Sequence, residues 1–242
     1  MNMMDKLMEL LYPPRANCLG CASPRGNEDG VLCEDCQRRL KPIREMNVPV
    51  CERCGSPISV LTEGCRRCAD WKADELDMAR SCYVYAPPVD GLIIQFKYNG
   101  VYRLDEFLGR ALCGMIRDLE IEKPDFLVPV PMHRRRLRQR GYNQAELLAR
   151  VVEREMGWNM AELLRRSRYT RRQARLSAKQ RRHNLDGAFE LDGDVSGLKI
   201  LLIDDVLTTG ATANRCARLL KRSGAAWVGL LSVARAVPGF EN

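Results

Sequence analysis

Lys199-Ile200-Leu201-Leu202-Ile203-Asp204-Asp205-Val206-Leu207-Thr208-Thr209-Gly210-Ala211-Thr212 decides the fold of this chain. An apolar run ends in two adjacent carboxylates. A loop of small and hydroxylated residues follows, and a helical pattern runs from Asn214 to Arg222. Strand, small-residue loop and helix together build an anion site in a parallel α/β sheet. Small residues let the backbone close on an anion, and the start of the helix supplies free N–H donors and positive partial charge. The hydroxyls of Thr208, Thr209 and Thr212 can donate further bonds to phosphate oxygens. Asp204 and Asp205 suit a neighbouring polyol, because carboxylates accept hydrogen bonds from vicinal hydroxyls. Adjacent acids are also costly to bury without partners, which argues against an ordinary turn.

The ordered pattern of apolar run, Asp204-Asp205, two residues and Thr208-Thr209-Gly210-Ala211-Thr212 resembles the phosphoribosyl pyrophosphate (PRPP) motif of type I phosphoribosyltransferases. The resemblance implies that the paired acids hold the ribose 2- and 3-hydroxyls. It implies equally that residues 208–212 hold the 5-phosphate.

The rest of the chain alternates. Strands are predicted at 81–85, 125–130, 187–191, 198–203 and 227–234. Helices are predicted at 90–97, 104–117, 143–156 and 214–222, with a short one at 177–185. Such alternation implies a parallel sheet with both faces covered, whose ligands sit beyond the carboxyl ends of the strands. Asp204 and Asp205 would lie at that edge.

The first 70 residues read differently. Eight of the eleven cysteines form four Cys-x-x-Cys pairs, Cys18/Cys21, Cys33/Cys36, Cys51/Cys54 and Cys65/Cys68. Each pair is a two-thiolate knuckle, and two knuckles complete a tetrahedral zinc site, so one or two structural zinc ions are expected. The spacing permits sequential or crossed pairing. Residues 18–70 hold too few apolar side chains for a core of their own, and metal binding would supply the missing folding energy. Residues 1–17 are expected to form a helical segment, 18–70 a zinc-ribbon domain and 81–236 the α/β domain, with 71–80 as a bridge. Cys82, Cys113 and Cys216 read as core residues.

The chain has 242 residues, is 45% hydrophobic, and carries 39 basic against 31 acidic residues, a formal charge of +8. Five arginines fall within 133–140 and nine basic residues within 165–182, with no acid in either segment. Without these fourteen, 25 basic residues face 31 acids. Such basic runs face solvent or an acidic partner. No apolar run reaches transmembrane length, and the N-terminus lacks a secretory pattern. A cytoplasmic location with reduced cysteines is expected, which disfavours disulfides.

Three further segments extend the site. Val128-Pro129-Val130-Pro131-Met132-His133 leaves a strand at the same edge and runs into Arg134 and Arg140. Its prolines stiffen the turn, and its following N–H groups and arginines can meet pyrophosphate. His133 reads equally as a donor to pyrophosphate or as a residue stabilising its own turn. Residues 166–184, with Arg166, Arg168, Thr170, Gln173, Arg181 and Asn184, have the composition of a mobile loop closing on a polyanion. Lys97, in Phe96-Lys97-Tyr98, either reaches the site or caps its own helix.

Together these blocks, with Arg140-Gly141-Tyr142-Asn143-Gln144 and Gly187-Ala188-Phe189, resemble the ComF family of competence-associated proteins. The resemblance spans about residues 18–235. One departure stands out: Pro87 occupies the place, two residues after Tyr85, where members often have glycine. The resemblance implies a type I phosphoribosyltransferase-like domain preceded by a double zinc ribbon. It implies PRPP bound with magnesium, Val130, Pro131, Met132, His133, Arg134, Arg140 and Lys97 toward pyrophosphate, and a part in DNA uptake. Two functions follow. One is a phosphoribosyltransferase whose acceptor the sequence does not identify. The other is a single-stranded-DNA-binding competence factor without turnover, in which Tyr142, Trp158 and Tyr169 stack on bases. A zinc ribbon also suits docking to a DNA-uptake helicase or channel.

Overall fold

The apolar run around Leu201 lies at the centre of a parallel sheet. The computed structural model describes residues 17–23, 31–58, 65–98, 103–167 and 187–237. A short helix α1 (Glu34–Arg39) and a 3-10 turn (Ile43–Glu45) precede strand β1 (Met78–Val84). There follow α2 (Val89–Tyr98), α3 (Arg103–Asp118), β2 (Phe126–Pro129), α4 (Arg134–Arg140) and α5 (Gln144–Met156). The chain then forms β3 (Leu164–Arg166), β4 (Phe189–Leu191), β5 (Lys199–Leu207), α6 (Ala211–Arg222) and β6 (Trp227–Arg235).

The main sheet has the order β1-β6-β5-β2, with every pairing parallel. Alternate residues of β5 enter opposite layers. Leu201 and Ile203 pack with α2, α3 and α5, through Leu92, Phe96, Leu108, Leu112 and Leu148. Ile200 and Leu202 pack with α6 and the segment before β1, through Cys216, Leu220, Trp71 and Leu76. A strand covered on both faces reads as an unbroken apolar run, because both of its period-2 positions are inside. Cys82, Cys113 and Cys216 are buried in these layers.

The cysteine-rich segment lies against both layers. Cys18, Leu19, Leu32 and Cys36 join the layer of α2 and α3, whereas Cys54 and Cys68 join that of α6. The same segment reaches the outer edge of β1. The Arg53 carbonyl accepts from Ala79 N at 2.7 Å, and Pro42 bridges Tyr83 in antiparallel fashion. An edge strand so occupied is no template for another chain.

Four expectations need correction. The acids do not lie beyond the strand: β5 continues to Leu207, because Asp204, Val206 and Leu207 pair with Ser232, Ala234 and Arg235 of β6. Residues 189–191 do not join the parallel sheet, but pair antiparallel with β3, a strand too short to show any alternation. The arginine run at 134–140 is a helix. It has no buried residue, so the usual apolar period is missing, and its ends carry the signal instead. His133 caps the start by accepting from Arg135 N, and Gly141 closes the end at φ 85°. Residues 71–80 do more than bridge, since Trp71 and Leu76 are buried in the α6 layer. The helices expected within 1–17 and at 177–185 fall wholly or almost wholly outside the described residues. Pro87 leaves the start of α2 intact, at Val89.

Helices α3 and α5 meet at Gly109, where a β-carbon would lie 2.5 Å from Val151 Cβ. Alanine there gains up to about 1 kcal/mol of helix propensity. It also forces the helices apart, at about 1–3 kcal/mol. The second effect is the larger, so Gly109→Ala is expected to lower the urea midpoint, with a net loss of about 1–2 kcal/mol. An unchanged or raised midpoint would contradict this packing.

Candidate functional site

Two carboxylates consecutive along one strand repel each other even though their side chains leave on opposite faces, and each finds a different answer. Asp205 has one in Lys97, whose Nζ lies 2.8 Å from Asp205 Oδ2, with both side chains largely buried. Lys97 therefore reaches the site and does not cap its helix. Its position is held from behind. Tyr142 Oη and Gln144 Nε2 both donate to the carbonyl of Phe96, one residue before the lysine. Arg140 donates to Gln144 Oε1 at 3.1 Å and to Tyr98 Oη at 3.2 Å, and its guanidinium lies over the Tyr98 ring. Asn143 caps α5 by accepting from Ala145 N, and it donates to Val130 O at 3.2 Å. The Arg140–Gln144 run thus clamps the end of α2 to the end of β2.

Asp204 has no ion pair among the described residues, and its Oδ1 accepts from Asp205 N at 2.8 Å. Burial, and then repulsion by Asp205, push its carboxyl up to about 7, against the weaker pull of the Asp205 N–H, Lys97 and Arg166. The group is poised between neutral and charged forms near neutral pH.

Directly after these acids comes the loop. Thr208 and Thr209 are exposed, Gly210 is buried, and α6 begins at Ala211. Gly210 sits at φ 77° as the N-cap and brings no side chain to the helix start. Its missing β-carbon matters twice, since an added one would be strained and would also lie 2.8 Å from Trp71 Cζ2. Helix α6 starts just after Thr208 and Thr209, Ala211 N donates to Thr209 Oγ1 at 3.4 Å, and the N–H groups of a first helical turn lack partners within the helix, an arrangement suited to an anion.

The 130–140 arm leaves β2 beside β5, and Val130 N donates to Ile203 O at 2.9 Å, one residue before Asp204. Val130 and Pro131 are buried, Met132 and His133 half-buried, and Arg134 exposed. His133 Nδ1 accepts from Arg135 N at 3.1 Å, so it stabilises its own turn. Arg166, on β3, stacks over Phe189 at 5.3 Å. Burial and the neighbouring Arg136 pull its guanidinium down, while Cys216 and Asp204 oppose that. Arg166 therefore feels the charges of both Arg136 and Asp204. Arg168, Thr170, Gln173, Arg181 and Asn184 lie outside the described residues.

The cysteines pair sequentially. Cys18, Cys21, Cys33 and Cys36 form one set and Cys51, Cys54, Cys65 and Cys68 the other, with the sulfurs of each set within 4.8 Å of one another. Sulfur separations of 3.7 Å for Cys21–Cys33, 3.5 Å for Cys51–Cys68 and 3.6 Å for Cys54–Cys65 approach the edge of a zinc tetrathiolate, about 3.8 Å for bonds of about 2.3 Å. Burial pushes the Cys36 and Cys68 thiols up, a penalty that a bound dication removes. Both donor sets fit structural zinc.

Three residues contribute here without any signal in their own sequence surroundings. Arg235 is fully buried at the end of β6; it donates to Cys54 O at 2.7 Å and lies 3.4 Å from Cys54 Sγ. Asn214 accepts from Leu76 N at 3.2 Å. Trp71 forms the wall behind Gly210. Each acts over a long sequence separation, which no local pattern reveals.

Residues 7–72 match the double zinc ribbon domain and residues 115–237 the phosphoribosyl transferase domain. Competence protein F of Haemophilus influenzae is 31% identical over 227 residues, covering 90% of this chain and 96% of that protein. DNA utilization protein YhgH of Salmonella typhimurium is 32% identical over 223 residues, with the same coverage. Among solved structures, the glutamine PRPP amidotransferase from B. subtilis complexed with ADP and GMP is 16% identical, with a TM-score of 0.40. That match covers 57% of this chain and 30% of the other.

The raised Asp204 carboxyl fixes the sign of a pH effect. Its protonated form is favoured in the folded state, so its contribution is full below the ordinary value of 3.8 and is lost as pH rises through about 7. Asp204→Asn is therefore expected to raise the melting temperature, more at pH 8 than at pH 5.5. A gain that shrinks with rising pH would refute the assignment.

Proposed function

The chain belongs to the ComF family, a double zinc ribbon domain followed by a phosphoribosyl transferase domain, and on that premise we propose that it binds PRPP with magnesium, transfers the phosphoribosyl group, and serves DNA uptake. The observation that carries the proposal is the Lys97–Asp205 pair beside the loop at 208–212. In this reading, Asp204 and Asp205 hold the ribose hydroxyls. The amides and hydroxyls of Thr208, Thr209, Gly210, Ala211 and Thr212 hold the 5-phosphate. Pyrophosphate lies toward Val130, Pro131, Met132, His133, Arg134 and Arg140, with Arg136 and Arg166 as further cations. Lys97 releases Asp205 to the sugar as pyrophosphate arrives.

The bond from the anomeric carbon to pyrophosphate breaks, and a bond to the acceptor forms. Positive charge builds at the anomeric carbon and negative charge on the leaving oxygens, so nearby carboxylates and arginines stabilise both ends without a covalent nucleophile. The carboxylate oxygens of Asp204 and Asp205 fit a hard cation, and magnesium bound with PRPP would neutralise pyrophosphate charge. Ribbon and transferase units are assigned to 18–70 and 81–236. Both are assigned to the cytoplasm, where cysteines stay reduced for zinc. The names of the relatives, competence and DNA utilization, support the role in DNA uptake.

A second reading draws on α4. Arg134, Arg135 and Arg138 are exposed along one short helix, a surface suited to phosphates of single-stranded DNA. In that reading a helicase or channel partner supplies the strand.

Calorimetry with PRPP and magnesium tests the first reading: replacing Asp204 and Asp205 together by Asn should abolish binding, and an unaltered affinity would remove the sugar site. The second reading predicts that single-strand affinity falls steeply with salt, roughly in proportion to the number of phosphates contacted. It also predicts weaker binding in a variant with Arg134, Arg135 and Arg138 changed to Ala. A flat salt profile would rule out intrinsic DNA binding.

A further inference from the structure

We propose that metal in the second cysteine set (Cys51, Cys54, Cys65, Cys68) sets the shape of the loop at 208–212, so that zinc occupancy and anion binding there are thermodynamically coupled. This rests on the reading of 208–212 as a phosphate cradle. The loop is held at both of its ends by residues fastened to that cysteine set.

Before the loop, Leu207 pairs in register with Arg235. Arg235 reaches Cys54 through both terminal nitrogens, to its carbonyl and to its sulfur. After the loop, Trp71 does the work. Its N–H donates to Cys68 O at 3.0 Å, three residues beyond the last ligand. Its ring edge closes on Gly210, at the distance where even a methyl group would collide. Arg53, inside the first knuckle of the set, stacks on the Trp71 ring at 5.6 Å. It also donates to the carbonyls of Trp71 and Lys72 at 3.0 and 2.6 Å. The tie continues along α6. Leu76 N donates to Asn214 Oδ1, Glu75 pairs with Arg218, Asp74 with Arg222 and Asp77 with Lys221.

A loop that must present amides in one arrangement loses affinity if its supports are free to move. Losing metal frees the knuckle bearing Arg53 and the one preceding Trp71, and leaves Arg235 buried beside uncoordinated thiols. Coupling of this kind is reciprocal: whatever zinc does for the anion, the anion does for zinc.

The test uses the full chain loaded with zinc. Ribose 5-phosphate binding is measured by calorimetry for wild type and for Trp71→Leu, with zinc content checked by atomic absorption. The variant should keep its zinc and bind about ten-fold more weakly, an ordinary coupling factor. In wild type, saturating ribose 5-phosphate should slow zinc release to a chromogenic chelator for one of the two ions, and this protection should vanish in Trp71→Leu. Equal affinities together with ligand-independent zinc release would overturn the coupling while leaving the cradle intact. Absence of ribose 5-phosphate binding in wild type would instead overturn the cradle, and the coupling with it. If the variant folds poorly, the chelator measurement on wild type decides alone: protection supports the coupling and its absence overturns it.

Discussion

Lys97 Nζ sits 2.8 Å from Asp205 Oδ2, near the end of a strand whose Ile200, Leu201, Leu202 and Ile203 are sealed between two layers. This one ion pair makes the adjacent acids tolerable. Without it, two neighbouring like charges would go unbalanced, and burial together with repulsion by Asp205 already pushes the Asp204 carboxyl up to about 7. Much of the surrounding structure serves that lysine. Helix α2 carries it, the Tyr142 and Gln144 side chains grip the carbonyl before it, and Arg140 steadies Gln144. An ion pair formed between site groups is also one that an incoming anion can exchange, since pyrophosphate competes for the lysine.

The cysteine-rich segment is bound into the same logic. It holds the outer edge of β1, it donates residues to both layers, and its second cysteine set braces the loop through Trp71 and Arg235. Arg235 is a buried guanidinium, costly to desolvate. Its neighbour, the second cysteine set, would as a tetrathiolate around a dication keep net negative charge, so that the two costs would offset one another. Here a metal-binding cysteine set and a buried cation belong together, a pairing invisible to a count of surface salt bridges.

The sheet was legible because β5 is covered on both faces, which leaves an unbroken apolar run, and because the acids and the small-residue loop follow it without a gap. The helices α3, α5 and α6 were legible from their apolar stripes. Strand β4 was read within 187–191, but β3 and the antiparallel pairing of the two were not, since three residues per strand carry no period. Helix α4 escaped for a related reason: it buries nothing, and only His133 and Gly141 mark its ends. Sequence likewise left Lys97 and His133 open, and geometry separates them, the lysine entering the site and the histidine turning back to cap its own helix. The pairing of the knuckles needed three dimensions, because spacing permits either arrangement. Trp71, Asn214 and Arg235 could not be found at all by local reading, as their partners lie 138 to 181 residues away in the hydrogen bonds they complete or in the loop they support.

Cys18, Leu19, Leu32 and Cys36 lean on α2 and α3, while Cys54, Cys68, Trp71 and Leu76 lean on α6. The amino-terminal part therefore straddles the sheet like a saddle, one flap on each flank. It is not a detachable cassette. A sheet domain excised from it would lay bare greasy patches on both flanks at once.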